Sequence, residues 1–239
     1  MTGFGTDPLW LSAIALIGLV VLGIAGVRRW LTPSGIVAAA AVGGAVSIGF
    51  GHPGLMLLVF FFVSSSMLTR ILRVPTERLG ADRDYDGRTA GQVLANSGIA
   101  AGAGLCAWLA PGGSVWTIAF SGAIAAATAD TWSSEVGEWK AAATRLITTG
   151  VRVDPGTNGG VSWPGSAAAG VAALAVSGLA ALAFDQQTIL FPVATGGAVG
   201  AIVDSAAGAT IEGRARWIRN DTINWIGTFA GAGVAVILG

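Results

Sequence analysis

Eight mostly apolar stretches alternate with polar loops, and all 13 lysines and arginines fall in four of those loops. A bilayer core is about 30 Å thick, so a spanning helix needs roughly 20 apolar residues. The stretches are Leu9–Val27, Ser34–Phe50, Pro53–Leu72, Gln92–Leu109, Ser114–Asp130, Pro164–Phe184, Thr188–Ala209 and Ile223–Leu238; the second, fifth and eighth are short. Arg28 and Arg29 follow the first. Arg70, Arg73, Arg78, Arg83 and Arg88 follow the third. Lys140, Arg145 and Arg152 follow the fifth, and Arg214, Arg216 and Arg219 follow the seventh. The loops near His52, Pro111 and Asp185 carry none. The positive-inside rule predicts a cytoplasmic side for the four basic loops and an outside N-terminus, and an even number of spans returns the C-terminus outside. A miscounted helix would scatter the basic residues over both faces. The acidic residues follow them: only Asp7 and Asp185 fall outside.

Composition agrees. Only 11% of residues are charged and 53% are hydrophobic, whereas soluble domains carry about 25% charge. So little charge cannot cover a globule of this size, and lipid must solvate much of the surface. The 37 glycines suit helices that approach closely where lipid supplies no hydrophobic drive to association. The expected fold is an all-α, polytopic integral membrane helix bundle of about eight transmembrane helices. It forms a single transmembrane domain over residues 1–239, with cytoplasmic loops near 70–91, 131–163 and 212–222. The first apolar stretch is long and lacks a basic segment before it, so it reads as a span rather than a cleaved leader. A net charge of zero gives no reason to expect nucleic acid as a partner. The only cysteine, Cys106, and the only histidine, His52, leave no intrachain disulfide and no Cys- or His-rich metal site.

Asp130 and Asp204 stand out. Each closes a run of small apolar residues, AIAAATAD and GAVGAIVD, and each precedes a hydroxyl residue, Thr131 or Ser205. A carboxylate within a span costs about 2.5–3.5 kcal/mol on insertion scales, so it marks a functional candidate. The bland alternative is a helix end capped in wet headgroups. If the helix continues past Asp130, Ser134, Gly137 and Glu138 share its face. Glu135 then points about 140° away, so Asp130 and Glu135 serve one metal only if the helix breaks between them.

The loop DPGTNGGVSWPG (residues 154–165) is a third feature. Thr157, Asn158, Gly159 and Gly160 lack large side chains and precede a helix, a setting in which consecutive N–H groups can form an anion nest. Ordinary turns use glycines too. Asn96, Asn158, Asn220 and Asn224 lie in or near apolar surroundings, where a buried amide needs partners and often ties helices together. Asn220, Asp221 and Thr222 fit a glycosylation sequon, which the expected topology places on the wrong side. The run from Asp82 to Gly87 resembles the start of an EF-hand loop, but the twelfth position is Val93 rather than Glu, which argues against calcium sensing. There is no P-loop, and Lys140 is the only lysine.

Together LTPSG (31–35), FFVSSSMLTR (61–70), GRTAGQVLANSG (87–98), ATADTWSSEVG (127–137), LITTGVRVDPGTNGGVSWPG (146–165), VDSAAGATIEG (203–213) and NDTINWIG (220–227) resemble one membrane family. That family was long catalogued as a domain of unknown function. It includes the phytyl-phosphate kinase of plant and cyanobacterial vitamin E synthesis and human transmembrane protein nineteen. The resemblance implies transfer of a phosphoryl group from a nucleoside triphosphate, CTP first among candidates, to an isoprenyl monophosphate such as phytyl or geranylgeranyl phosphate. The chain is also similar to dolichol kinases and phosphatidate cytidylyltransferases, whose membrane sites carry an Asp followed by small residues.

On that resemblance Asp130, Glu135 and Asp204 are the expected catalytic residues and Mg²⁺ ligands. Arg78, Arg88, Arg145 or Arg152 would clamp phosphate oxygens. The expected binding set is Asn96, Arg88, Thr131, Ser134, Arg145, Thr157, Asn158, Gly159, Gly160, Ser205, Asp221 and Asn224. The isoprenyl tail would sit between helices among membrane lipid, in the plasma membrane of a prokaryote. A homodimer is one open arrangement. Two other readings stay open: a small-ion or small-metabolite transporter, for which intramembrane Asp and Asn in Gly-interrupted helices are also a signature, and a CTP-dependent cytidylyltransferase of a lipid phosphate.

Overall fold

A computed structural model describes residues 8–72, 87–140 and 143–239. Among these lie helices α1 (Pro8–Val27), α2 (Pro33–Ile71), α3 (Ala90–Leu109) and α4 (Val115–Trp139), strands β1 (Thr144–Leu146), β2 (Arg152–Val153) and β3 (Gly160–Val161), and helices α5 (Trp163–Ala183), α6 (Leu190–Thr210) and α7 (Asn220–Leu238). A 3-10 turn at Gln187–Ile189 leads into α6. The strands form a small antiparallel sheet in the order β2-β1-β3, which the sequence reading did not anticipate.

Helix α2 has 39 residues and would be about 58 Å long if straight, nearly twice the bilayer core. It is broken at Gly51, whose φ of 61° and ψ of −144° are not helical and are open to glycine at little cost. The two arms fold back on each other. A Cβ at Gly54 would lie 2.9 Å from a Val46 methyl eight residues earlier, and a straight helix would separate them by about 12 Å. At the other end, the Arg70 guanidinium donates to the Arg29 carbonyl just ahead of α2. The arms are the second and third expected spans.

The count of spans is revised. Among the described residues, five helices are long and apolar enough to cross a membrane, with α1 adding a shorter apolar segment at Gly18–Val27. Helix α4 is not one of the five, because Thr117, Ser121, Thr128 and Asp130 dilute its apolar run. It is instead the core of the bundle. Residues 120–129 are all buried, and α2, α3, α5, α6 and α7 all pack against it. A helix wrapped in protein need not be uniformly apolar, since its hydroxyls bond within the helix; Thr128 donates to the Ile124 carbonyl at 2.7 Å. Helix α4 also runs nine residues past its expected end, so Asp130 lies within it rather than capping it. Elsewhere Val37, Leu182, Phe229 and Ile237 turn outward, as lipid-facing residues do.

Glycine allows the closest crossing. A Cβ at Gly231 of α7 would lie 2.5 Å from Ala126 Cβ and 3.0 Å from the carbonyls of Gly122 and Gly196, so α4, α6 and α7 meet backbone to backbone. At one end of the bundle, the polar loops are tied together. The Arg88 N–H donates to the Trp30 carbonyl at 2.9 Å, and the Thr32 N–H donates to the Arg88 carbonyl at 3.2 Å. Thr32 caps α2 by accepting from the Gly35 N–H, and Thr89 with Gln92 forms a capping box on α3.

Candidate functional site

Two carboxylates from different helices meet. The side chains of Asp130 on α4 and Asp204 on α6 come within hydrogen-bonding reach of each other. Gly227 of α7 closes the third side, where a Cβ would fall 3.1 Å from an Asp204 carboxyl oxygen. Two carboxylates in contact repel each other unless a proton or a cation lies between them. Asn224, one turn earlier on α7, is buried, and its Oδ1 has no hydrogen-bond partner. It shares a narrow crevice with Asn96, Asp130 and Asp204. An unsatisfied buried acceptor costs about 1–3 kcal/mol, and here it sits beside the carboxylate pair as a further oxygen donor.

A polar cavity of about 120 Å³ opens over this pair. Asp130, Ser134, Gly137 and Glu138 line it along one face of α4, as the helical spacing requires once the helix continues. Asp204, Ser205 and Gly208 line it from the end of α6, Glu212 from the turn that follows, and residues 156–160 close it from the loop between β2 and β3. Gly159 holds that loop in place. Its φ is 73°, and a Cβ there would fall 2.5 Å from the Ala209 nitrogen, so the loop rests on α6 one turn beyond Asp204. Ser162 then caps α5 by accepting from the Gly165 N–H at 3.3 Å.

A larger cavity of about 480 Å³ shares Asp130, Ser134, Gly156, Asn158, Glu212 and Asn220 with the first. It adds Arg29, Arg70, Arg88, Gln92, Asn96, Thr131, Glu135 and Asn224. Ser66, buried with an unpartnered hydroxyl, also lines it. Burial works against the Arg88 charge, and Glu135 supports it. Burial also pushes the Glu212 carboxyl above its usual range. Arg29, Arg70 and Arg88 therefore line one cavity with Asp130 and with Gly156 and Asn158 of the glycine loop, at the end of the bundle that carries the basic loops.

Several expectations change. Helix α4 is unbroken through Asp130 and Glu135, so the two diverge, and Glu135 accepts from the Thr69 hydroxyl at 2.9 Å. Among the described residues no group of three or more His, Cys, Asp or Glu is placed to hold a metal ion. The row of N–H groups expected for an anion nest is shortened. The Thr157 N–H is bonded to the Asp154 carbonyl and the Gly160 N–H to the Thr157 carbonyl, leaving Asn158 and Gly159 as the part of the loop to consider. The Thr131 hydroxyl donates to the Ala127 carbonyl, and the Asn96 amide to the Gln92 carbonyl.

Three residues fall outside both cavities. Arg145 on β1 is exposed and donates to the Gly150 carbonyl of its own hairpin. Arg152 is exposed opposite it on β2. Asp221 lies against the first turn of α3, where a Cβ on Gly91 would meet its carboxyl at 2.6 Å. Arg78 and the acidic run 82–86 lie outside the described residues. Arg29, Arg70 and Glu212 line the cavities although no sequence motif marks them as site residues, and Asn220 joins them there. Glu212 lies in the turn just past the end of α6, where helical spacing no longer applies. The arginines came from loops far apart in sequence, and no local pattern joins them.

A bundle of long apolar helices with outward-facing apolar side chains and its charge gathered at one end is a multi-pass integral membrane protein. The chain belongs to the family described as integral membrane protein DUF92, whose model matches residues 16–232. It is 30% identical to an uncharacterized membrane protein of Synechocystis over 95% of this chain and 90% of that one. It is 32% identical to an uncharacterized membrane protein of Methanocaldococcus jannaschii over 88% and 86%. It is 29% identical to the chloroplastic protein VTE6 of Arabidopsis thaliana over 97% of this chain and 72% of that protein. No solved structure matches the chain.

Proposed function

We propose that this protein is a lipid-phosphate kinase that transfers a phosphoryl group from a nucleoside triphosphate, CTP first, to an isoprenyl monophosphate at the cytoplasmic face of a prokaryotic plasma membrane. The observation that carries the reading is that Asp130, which meets Asp204, lines one cavity with Arg29, Arg70 and Arg88. Phosphoryl transfer depends on positioning and charge neutralisation more than on covalent chemistry, and this site offers both. The family resemblance in the motifs supports the same chemistry.

The residues present suit Mg²⁺. The carboxylate pair and the unpartnered Asn224 oxygen are hard oxygen donors, and Mg²⁺ takes one or two carboxylates with phosphates completing its shell. When bound it would supply charge neutralisation to the nucleotide phosphates. Arg88 would hold the acceptor phosphate, with Arg29 and Arg70 contributing field. An oxygen of that phosphate attacks the terminal phosphorus of the nucleotide, the bond to the bridging oxygen breaks, and the nucleoside diphosphate leaves. The acceptor is already anionic, so no strong general base is needed, and a site without histidine suffices.

The test is purified protein in lipid nanodiscs with CTP, Mg²⁺ and geranylgeranyl monophosphate. Lipid diphosphate and CDP in equal amounts support the reading. Release of pyrophosphate would reassign the protein as a cytidylyltransferase, and nucleotide-independent solute uptake into proteoliposomes would reassign it as a transporter. Arg88→Lys keeps the charge but loses the planar fork that matches phosphate. It is expected to raise KM for the lipid phosphate about tenfold, the equivalent of ~1.4 kcal/mol. An unchanged KM would remove Arg88 from the acceptor site.

A further inference from the structure

A second, apolar cavity adjoins the polar site. It is a groove of about 520 Å³ between α1, both arms of α2 and α3, within the range of roughly 300–1,000 Å³ typical of sites that enclose a small molecule. Leu22, Val42, Leu58 and Phe62 are among its walls. One part of its lining is different. Arg88, Gln92 and Asn96 line both this groove and the polar cavity that contains Asp130 and Glu135, so the two spaces meet there.

Arg88 is well fixed at that junction. Its backbone is bonded to Trp30 and Thr32, its guanidinium lies 5.7 Å from the centroid of the Phe61 ring, and Glu135 supports its charge. Phe61 also lines the groove. A ligand that fills both spaces is therefore apolar along its length and anionic at one end.

Resting on the kinase reading, we infer that this groove holds the single isoprenyl chain of the lipid monophosphate, with its phosphate at Arg88, and that Gly43 and Gly18 set the chain length accepted. Both glycines line the groove, Gly43 from α2 and Gly18 from α1. A Cβ built at either meets no atom within 4 Å. A larger side chain at these positions thus takes space from the groove without displacing backbone. The groove joins the polar cavity at one guanidinium, which suits a single chain on one phosphate better than a two-chain glycerolipid.

Two measurements test this. The first uses geranylgeranyl monophosphate with a photoreactive group at the chain end, added to the purified protein in nanodiscs without nucleotide. Label on residues 18–22 or 39–48, competed by unlabelled geranylgeranyl monophosphate and not by phosphatidate, is expected. Label elsewhere, or equal competition by phosphatidate, would overturn the inference. The second compares turnover of geranylgeranyl and geranyl monophosphate. Gly43→Leu and, from the opposite wall, Gly18→Leu are each expected to lower the ratio of the two at least tenfold. An unchanged ratio in both variants would overturn the chain-length role. Labelling needs no nucleotide, so a protein labelled in the groove that turns over neither substrate would refute the kinase reading alone. An active kinase labelled elsewhere would refute the groove alone.

Discussion

Asp204→Asn is expected to lower phosphoryl transfer about 10³-fold, the rate equivalent of ~4 kcal/mol, which is the scale of charge stabilisation a catalytic metal provides. The substitution keeps the size of the side chain and leaves a hydrogen-bonding group facing Asp130, so the α4–α6 contact survives. It removes one of the two charges that make a cation favourable at that point. A second readout separates catalysis from folding. Wild-type protein should melt at a higher temperature as Mg²⁺ is added, because a ligand that binds only the folded state stabilises it. The Asn variant should melt no lower than wild type without Mg²⁺ and gain little when it is added. A variant that keeps more than a tenth of wild-type turnover would place the metal elsewhere.

The second large effect concerns the scaffold. Gly231→Val places a branched side chain where even a Cβ would be 2.5 Å from Ala126 Cβ and 3.0 Å from two carbonyl oxygens. Nothing there is a flexible side-chain tip that can swing aside, so α7 must move away from α4 and α6. Overpacking of this kind costs about 1–3 kcal/mol and sometimes more. For a chain of this length that corresponds to a fall in melting temperature on the order of 10 °C. Because α7 also carries Asn224 and Gly227, the shift should loosen the carboxylate pair and reduce turnover. Gly233→Val on the same helix is the control, since a Cβ there meets no atom within 4 Å; its melting temperature should stay within a few degrees of wild type.

The parts of this structure that were legible in the sequence are those governed by local rules. Apolar length marks the helices, and the breaks between them coincide with glycine, proline and charge. The face shared by Asp130, Ser134, Gly137 and Glu138 follows from helical spacing alone, and all four line the polar cavity. The divergence of Glu135 follows from the same spacing. What the sequence hid was long-range. That Asp130 and Asp204 touch depends on glycines of α6 and α7 bringing three helices together, and no pattern within one segment reports that distance. The strands around Arg145 and Arg152 turn both arginines outward, whereas composition alone placed every arginine on an equal footing. Helix α4 runs past Asp130 to Trp139, although a charge ends a span that faces lipid. Its neighbours, rather than lipid, surround those charges.

The grouping of basic residues at one face has also gained a meaning beyond topology. Arg29, Arg70 and Arg88 come from three places in the chain and line one cavity with Asp130. A rule that orients helices does not require that convergence, and binding phosphate does.

The most direct test of the account is phosphorus NMR of the purified protein in nanodiscs with CTP, Mg²⁺ and geranylgeranyl monophosphate, recorded side by side for wild type and Asp204→Asn. In the wild type the lipid monophosphate signal is expected to give way to the paired signals of a lipid diphosphate while CTP becomes CDP, and the variant is expected to leave both substrates unchanged over the same period. Accumulation of free pyrophosphate, an inert wild type across CTP, ATP, GTP and UTP, or equal turnover by the variant would contradict it.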